Sequence, residues 1–107
     1  MDMAFDKSKL QKVFNHESRL IKENGKIIMR RMAVLKAATN LEQVPHRKPE
    51  RRHELSGRIK GEFAVDLKHP FRLVFRPNHD PIPLKEDGGI DLKLVTAITI
   101  IRVEDYH

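Results

Sequence analysis

The chain contains no cysteine, and this absence excludes disulfide cross-links and thiolate chemistry. It has no apolar run as long as a membrane span, and its N-terminus, Met-Asp-Met-Ala-Phe-Asp, lacks the basic-then-apolar pattern of a secretion signal. It also lacks a phosphate-cradling glycine motif, a nucleophile elbow and histidines at paired ligand spacing. These absences predict a cytoplasmic protein without a membrane segment, a metal or another cofactor.

The composition is that of a small, basic globular protein. A length of 107 residues predicts a single domain over 1–107, and 39% apolar residues are enough for one modest core. Twenty-one Lys and Arg against fifteen Asp and Glu give a net charge of +6. Such a charge attracts polyanions, with nucleic acid the first candidate and an acidic protein the second. Solubility alone is a third explanation of the net charge, so the three explanations have to be distinguished by where the charges are placed.

The first part of the chain, 1–44, predicts a helical hairpin. Asp6 is suited to cap the first helix, and Gly25 to end it in a left-handed conformation. The second helix is predicted from Lys26 to Leu41, because apolar residues recur at helical spacing there. A polar linker with two prolines follows over 44–50.

The second part, 50–107, predicts a sheet. Strands are expected at Arg52–Leu55, Glu62–Leu67 and Phe71–Arg76, where the side chains alternate. The last strand, Leu92–Val103, is apolar on both faces and should lie inside the sheet, while the polar loop 77–91 should be mobile. The predicted fold is α+β, a small antiparallel sheet of three to five strands with the helical hairpin on one face. The aromatic face of the central hairpin should cover the helices, with these residues inward: Phe63, Val65, Leu67, Phe71, Leu73 and Phe75. On the last strand, Leu94, Ile98 and Ile100 are expected on one face and Val95, Ala97, Ile101 and Val103 on the other.

Basic residues are concentrated between 47 and 60 and on the polar face of the third predicted strand. Arg72 and Arg76 alternate with the aromatic residues, so both should look away from the helices. Arginine there would bind a phosphate backbone through charge and paired hydrogen bonds. The simpler alternative is a solvated sheet face with ordinary charges. The candidate RNA-binding residues are Arg51, Arg52, Arg58, Lys60 and Arg76.

Two histidines raise the question of catalysis. Cleaving RNA without a metal requires a base for the 2′-hydroxyl proton, an acid for the leaving 5′-oxygen and cations that stabilise the phosphorane. Histidine can act as either acid or base near neutral pH. The side chains that fit this chemistry are His53, Arg72, Asp105, Tyr106 and His107. From chemistry alone, a frayed chain end and a surface histidine remain the simpler explanation.

The order of three short motifs changes that balance. The first is His53-Glu54-Leu55-Ser56-Gly57 together with Gly61-Glu62-Phe63-Ala64-Val65, which follows it. The second is Phe71-Arg72-Leu73-Val74-Phe75, and the third is the terminal Glu104-Asp105-Tyr106-His107. In this order the chain resembles the HigB toxins of bacterial toxin–antitoxin systems, in the RelE/ParE superfamily. The likeness extends over nearly the whole chain except the loop 77–91.

The resemblance implies a small sheet with two helices on one face and an mRNA endoribonuclease that acts in the ribosomal A site and inhibits translation. It implies that Arg72 contacts the scissile phosphate and that the cutting site contains His53, Asp105, Tyr106 and His107. The implied partners are the ribosome, mRNA and a HigA-like helix-turn-helix antitoxin. Two alternatives stay open: a non-catalytic gyrase poison like ParE, and an inactive module that binds only an antitoxin.

Overall fold

A computed structural model describes residues 1–7, 18–56 and 61–105, with backbone only for 18–23. In chain order the elements are β1 (Asp2–Phe5), α1 (Ser18–Ala37), β2 (His53–Glu54), β3 (Phe63–Asp66), β4 (Phe71–Pro77) and β5 (Ala97–Asp105). Short 3-10 turns lie at Leu41–Gln43 and Leu92–Leu94. This part of the chain confirms the α+β class. It contains no helix that is both long and apolar enough to cross a membrane.

The five strands form one sheet in the order β1-β5-β4-β3-β2. β5 therefore lies inside the sheet, as its apolar faces predicted. All neighbours are antiparallel except β1, which runs parallel to β5, so the sheet is mixed. The assignment of 1–44 to a helical hairpin is wrong at Asp2–Phe5, because these residues pair with the edge that β5 offers, a long-range contact without a local pattern. Most of the first predicted helix falls on 8–17, outside the described residues.

Helix α1 runs through the predicted stop at Asn24-Gly25. Asn24 is fully buried, and its Oδ1 accepts a hydrogen bond from the backbone N–H of Lys68 at 3.0 Å. Gly25 does not have a positive φ angle, so it does not end the helix in a left-handed cap. The asparagine thus joins α1 to the turn between β3 and β4, and this tertiary contact overrides the local stop signal.

Gly25→Ala provides a test of this continuity. Among the described residues, none has a heavy atom within 4 Å of a Cβ added at position 25, apart from the local backbone, so alanine fits without displacing any of them. Because glycine inside a helix is less stable than alanine, we expect the free energy of unfolding to rise by about 0.5–1 kcal/mol in urea denaturation. A left-handed cap at Gly25 would instead make the alanine variant less stable than the parent protein.

The main core lies between α1 and one face of the sheet, called here the helix face. The predicted inward residues Phe63, Val65, Leu67, Leu73 and Phe75 are buried there, and Phe71 is partly buried against them. The rings of Phe63 and Phe75 stack with their centroids 6.1 Å apart. The helix contributes Ile28 and Leu35, so the predicted apolar face of α1 is the one that packs.

A β-bulge in β5 changes which side chains face the core. Val74 pairs with Arg102, but the next residue, Phe75, pairs with Ile100, so Ile101 is an extra residue. The alternation therefore reverses, and Val103 joins the core with Ile98 and Ile100 instead of facing away from them. Its predicted position on the opposite face is wrong for this reason.

The start of β5 was also predicted too early. Leu92–Leu94 form a 3-10 turn in which the N–H of Lys93 donates to the Asp91 side chain, and the strand begins only at Ala97. Leu94 is therefore 58% exposed, whereas Val95 is buried in the main core.

The loop 77–91 contains a defined turn. The N–H of Lys85 donates to the carbonyl of Gly89 at 2.7 Å, and Leu84 forms an isolated bridge with Ile90. At its start, Nε2 of His79 accepts hydrogen bonds from the N–H groups of Thr96 and Ala97. The His79 bonds hold the start of the loop beside β5, and the mobility of the loop stays a prediction.

Candidate functional site

The sheet face opposite the helix face carries the candidate residues. Strand register places Asp66, Arg72 and Glu104 in one row across β3, β4 and β5, and Ala64, Val74 and Arg102 in the next. A second, smaller cluster of buried apolar residues lies beneath them: Leu55, Ala64, Val74 and Ile101. We call this surface, with His53, Glu62, Arg72, Arg76, Arg102 and Glu104, the charged face.

Two arginines and two glutamates on the charged face form a continuous network. Nε of Arg72 donates to Oε1 of Glu104 at 3.0 Å. Arg102 donates to Oε1 of Glu62 at 2.8 Å, and its Nε lies 3.3 Å from Oε2 of Glu104. The side chains of Arg72 and Arg102 are only 17% and 23% exposed. Because carboxylates hold both guanidinium groups from the side, the groups are fixed in direction before any ligand arrives.

The same network keeps Arg102 charged. Burial alone would lower the pKa of Arg102, but the hydrogen bonds and negative charges of Glu62 and Glu104 outweigh it and raise that pKa above its usual value. The charged face is nevertheless only mildly basic, because its three arginines are opposed by two glutamates. The basic surface that the sequence predicted is thus largely an ion-pair network.

His53 lies on β2 in register with Ala64, which places its side chain on the charged face. Its Nδ1 is 2.7 Å from the backbone carbonyl oxygen of Arg51. A carbonyl oxygen can only accept, so Nδ1 carries a proton, and in the neutral imidazole Nε2 keeps its lone pair. The contact therefore sets His53 to accept a proton at Nε2.

The register brings His53 and Arg72 together on this face. They are two strands apart and displaced by two residues, which puts their Cα atoms about 12 Å apart in a regular sheet. Glu104 holds the Arg72 guanidinium on the β5 side of the strand, so a nucleotide that contacts both Arg72 and His53 has to span this separation.

Asp105 does not join them. It pairs with Phe71, so its side chain lies on the helix face. Its strand, β5, is three strand spacings from β2, about 14 Å in the direction of the hydrogen bonds. The expected convergence of Asp105 with His53 and Arg72 is not seen, because the bulge at Ile101 reverses the alternation and places Glu104 beside Arg72 instead. Tyr106 and His107 lie outside the described residues.

The predicted RNA-binding residues have different surroundings. Arg51 forms a bidentate ion pair with Asp66 at 2.6 and 2.9 Å. Arg52 donates its Nε to the carbonyl of Val44, and burial lowers its pKa despite the negative charge of Glu42. Arg76 is exposed on β4 beyond the network. Arg58 and Lys60 lie outside the described residues. Arg51 and Arg52 therefore fasten the segment before β2, whereas Arg76 is open to a ligand.

Sequence reasoning missed Arg102 and Glu62 as site residues. Arg102 stands two residues before Glu104, a spacing that places both on one face of a strand. This spacing can be read from the sequence, but the bulge at Ile101 cannot. Without the bulge, Arg102 and Glu104 would have been assigned to the helix face.

Arg102→Gln tests the network. Because the variant leaves the carboxylate of Glu62 without its charged donor in a half-buried position, we expect the free energy of unfolding to fall by about 1–3 kcal/mol. Urea denaturation measures the change, and Arg76→Gln is the matched control, since it removes the same charge from the exposed part of β4. If both variants lose the same small amount, Arg102 does not stabilise the charged face.

Comparison with known proteins finds no protein family whose model matches this chain and no curated protein similar to it in sequence.

Proposed function

We propose that this protein is a HigB-type toxin that cuts mRNA on the ribosome without a metal. The observation that carries the proposal is that His53 and Arg72 lie on the same sheet face, with Nε2 of His53 set to accept a proton. The choice of mRNA as the substrate rests on the resemblance of the three motifs to the HigB toxins. The α+β fold with a five-stranded mixed sheet is compatible with this assignment.

The chemistry follows from the tautomer of His53. Nε2 takes the proton from a 2′-hydroxyl, and the resulting oxygen attacks the adjacent phosphorus. A 2′-O–P bond forms while the bond from phosphorus to the 5′-oxygen breaks. The leaving 5′-oxygen takes a proton from an acid, and His107 is the residue we assign to that role. The products carry a 2′,3′-cyclic phosphate and a 5′-hydroxyl, with no water consumed in this step.

Arg72 and Arg102 supply the positive charge that this step requires. The phosphorane carries more negative charge than the phosphodiester, so fixed donors bind it more strongly than they bind the substrate. Glu104 holds both guanidinium groups, and Glu62 holds Arg102 from the other side. Arg76, further along β4, is placed to contact a neighbouring phosphate.

The C-terminal residues have supporting roles in this proposal. Tyr106 stacks on a base, and Asp105 orients the end of the chain from the helix face. The antitoxin we propose is a small HigA-like helix-turn-helix protein, and its acidic residues would complement the net charge of +6.

Induction of the intact chain in bacterial cells tests the proposal. We expect growth arrest together with new mRNA 5′ ends inside coding regions, and restoration of growth when a neighbouring antitoxin gene is expressed. Growth arrest with intact mRNA and broken DNA would identify a gyrase poison instead. Normal growth at a high level of folded protein would identify an inactive antitoxin-binding module.

A further inference from the structure

A second pocket with a basic lining lies at the C-terminal end of β3, where Asp66 is the strand neighbour of Arg72, one row away from His53. It is an open pocket of about 660 Å³ between α1, the segment before β2 and the turn after β3. Its lining residues are Arg31, Lys48, Pro49, Arg51, Asp66, Leu67 and His69. We call it the edge pocket. Its volume is enough for a small ligand, and three of its lining residues carry a positive charge.

The acidic residue of the edge pocket is already neutralised. Both oxygens of Asp66 accept from Arg51, at 2.6 and 2.9 Å. Glu50, which is not one of the lining residues, lies 3.9 Å from a terminal nitrogen of Arg31, which is too long for a hydrogen bond. With both carboxylates counted against Arg31, Lys48 and Arg51, one positive charge remains.

Arg31 provides the main evidence that the edge pocket binds a ligand. Its Nε donates to the backbone oxygen of Asp66 at 2.6 Å, which fixes the guanidinium plane, and its side chain is only 11% exposed. Among the described residues, no buried side-chain nitrogen lacks a hydrogen-bond partner. No residue in the described part of the chain accepts a hydrogen bond from a terminal nitrogen of Arg31, so these nitrogens are not fully buried in the wall of the edge pocket. A fixed, largely buried guanidinium with accessible donors matches the geometry of an oxyanion.

We propose that the edge pocket binds a phosphate group. Two N–H groups of Arg31 hold the phosphate oxygens, and the exposed ammonium of Lys48 and the imidazole of His69 close the site from the solvent side. The phosphate belongs either to a nucleic-acid backbone or to a small phosphorylated molecule, since the recognition chemistry is the same. The site does not depend on RNA cleavage, because it contains neither His53 nor Arg72.

Inorganic phosphate is the first probe. We expect saturable amide shifts in a nuclear magnetic resonance titration of the intact chain, largest at the edge pocket. Arg31→Gln should weaken binding about tenfold or more, because it removes charged hydrogen bonds to the anion. Lys48→Gln should weaken it less, and this exposed position leaves the core undisturbed if Arg31→Gln fails to fold. Arg30→Gln is the matched control, because Arg30 is the exposed neighbour on the same helix.

The titrations distinguish a specific phosphate site from general attraction to a basic protein. Shifts that do not saturate, or equal weakening by Arg30→Gln and Lys48→Gln, would overturn the site and leave only general attraction to a basic protein. A short single-stranded oligonucleotide of 2′-O-methyl RNA, which cannot be cleaved by 2′-oxygen attack, is the second probe. If it displaces bound phosphate, the ligand is a nucleic-acid backbone. If saturable phosphate binding persists in its presence, the site is for a small phosphorylated molecule.

Discussion

Arg72→Gln should slow cleavage of ribosome-bound mRNA by about 10²–10³-fold, the loss typical of removing one preorganised donor from a developing oxyanion. The substitution should leave the fold intact, because Glu104 keeps Arg102 as its partner. The rate is measured under single-turnover conditions with saturating protein, so that weaker binding does not contribute. Thermal melting of the same samples shows whether the variant is folded.

His53→Gln should produce a loss of similar size, since the amide has no basic nitrogen to take the 2′-hydroxyl proton. Arg30→Gln is the charge-matched control for the arginine variant, because it lies on the helix and not on the charged face. Full activity in a folded Arg72→Gln or His53→Gln protein would show that the cleavage site lies elsewhere. An equal loss in Arg30→Gln would show that net charge alone controls the rate.

The second large effect concerns stability. Phe75 is fully buried, stacks on Phe63 and occupies the strand between β3 and β5. Phe75→Ala removes a whole ring from the only large core among the described residues, so we expect the free energy of unfolding to fall by about 3–5 kcal/mol. Small domains have about 5–15 kcal/mol in total, so this single change should leave much of the protein unfolded at growth temperature.

Phe75→Leu is the matched control, because it keeps an apolar side chain in the same place and should cost much less. Urea denaturation of all three proteins measures the difference. A fall below about 1 kcal/mol for Phe75→Ala would contradict the placement of the stacked rings in the core.

The sequence predicted the parts of the fold that local patterns encode. The apolar residues Phe63 and Val65 on β3, and Leu73 and Phe75 on β4, recur at every second position. This spacing identified both strands and their inward faces. Two features depend on distant contacts and were missed. Asn24-Gly25 has the local chemistry of a helix end, but Asn24 is used to bind the backbone of Lys68. β1 is held by its pairing with β5.

The candidate site was predictable only in part, for the same reason. Arg72 was placed on the correct face because its strand alternates regularly. The faces of Arg102, Val103 and Asp105 depend on the bulge at Ile101, which inserts one extra residue after Ile100 and cannot be recognised from the residue types around it. The partners of Arg72 could therefore not be read from residue types alone.

Analysis of the RNA ends made by the purified protein gives the sharpest test of cleavage by 2′-oxygen attack. The protein is added to ribosomes stalled on a defined mRNA in the presence of a metal chelator that leaves the ribosomes assembled. We predict cuts in the A-site codon whose fragments carry 2′,3′-cyclic phosphate and 5′-hydroxyl ends. Fragments with 3′-hydroxyl and 5′-phosphate ends, or intact mRNA at a stoichiometric level of folded protein, would contradict the proposed chemistry of His53 and Arg72.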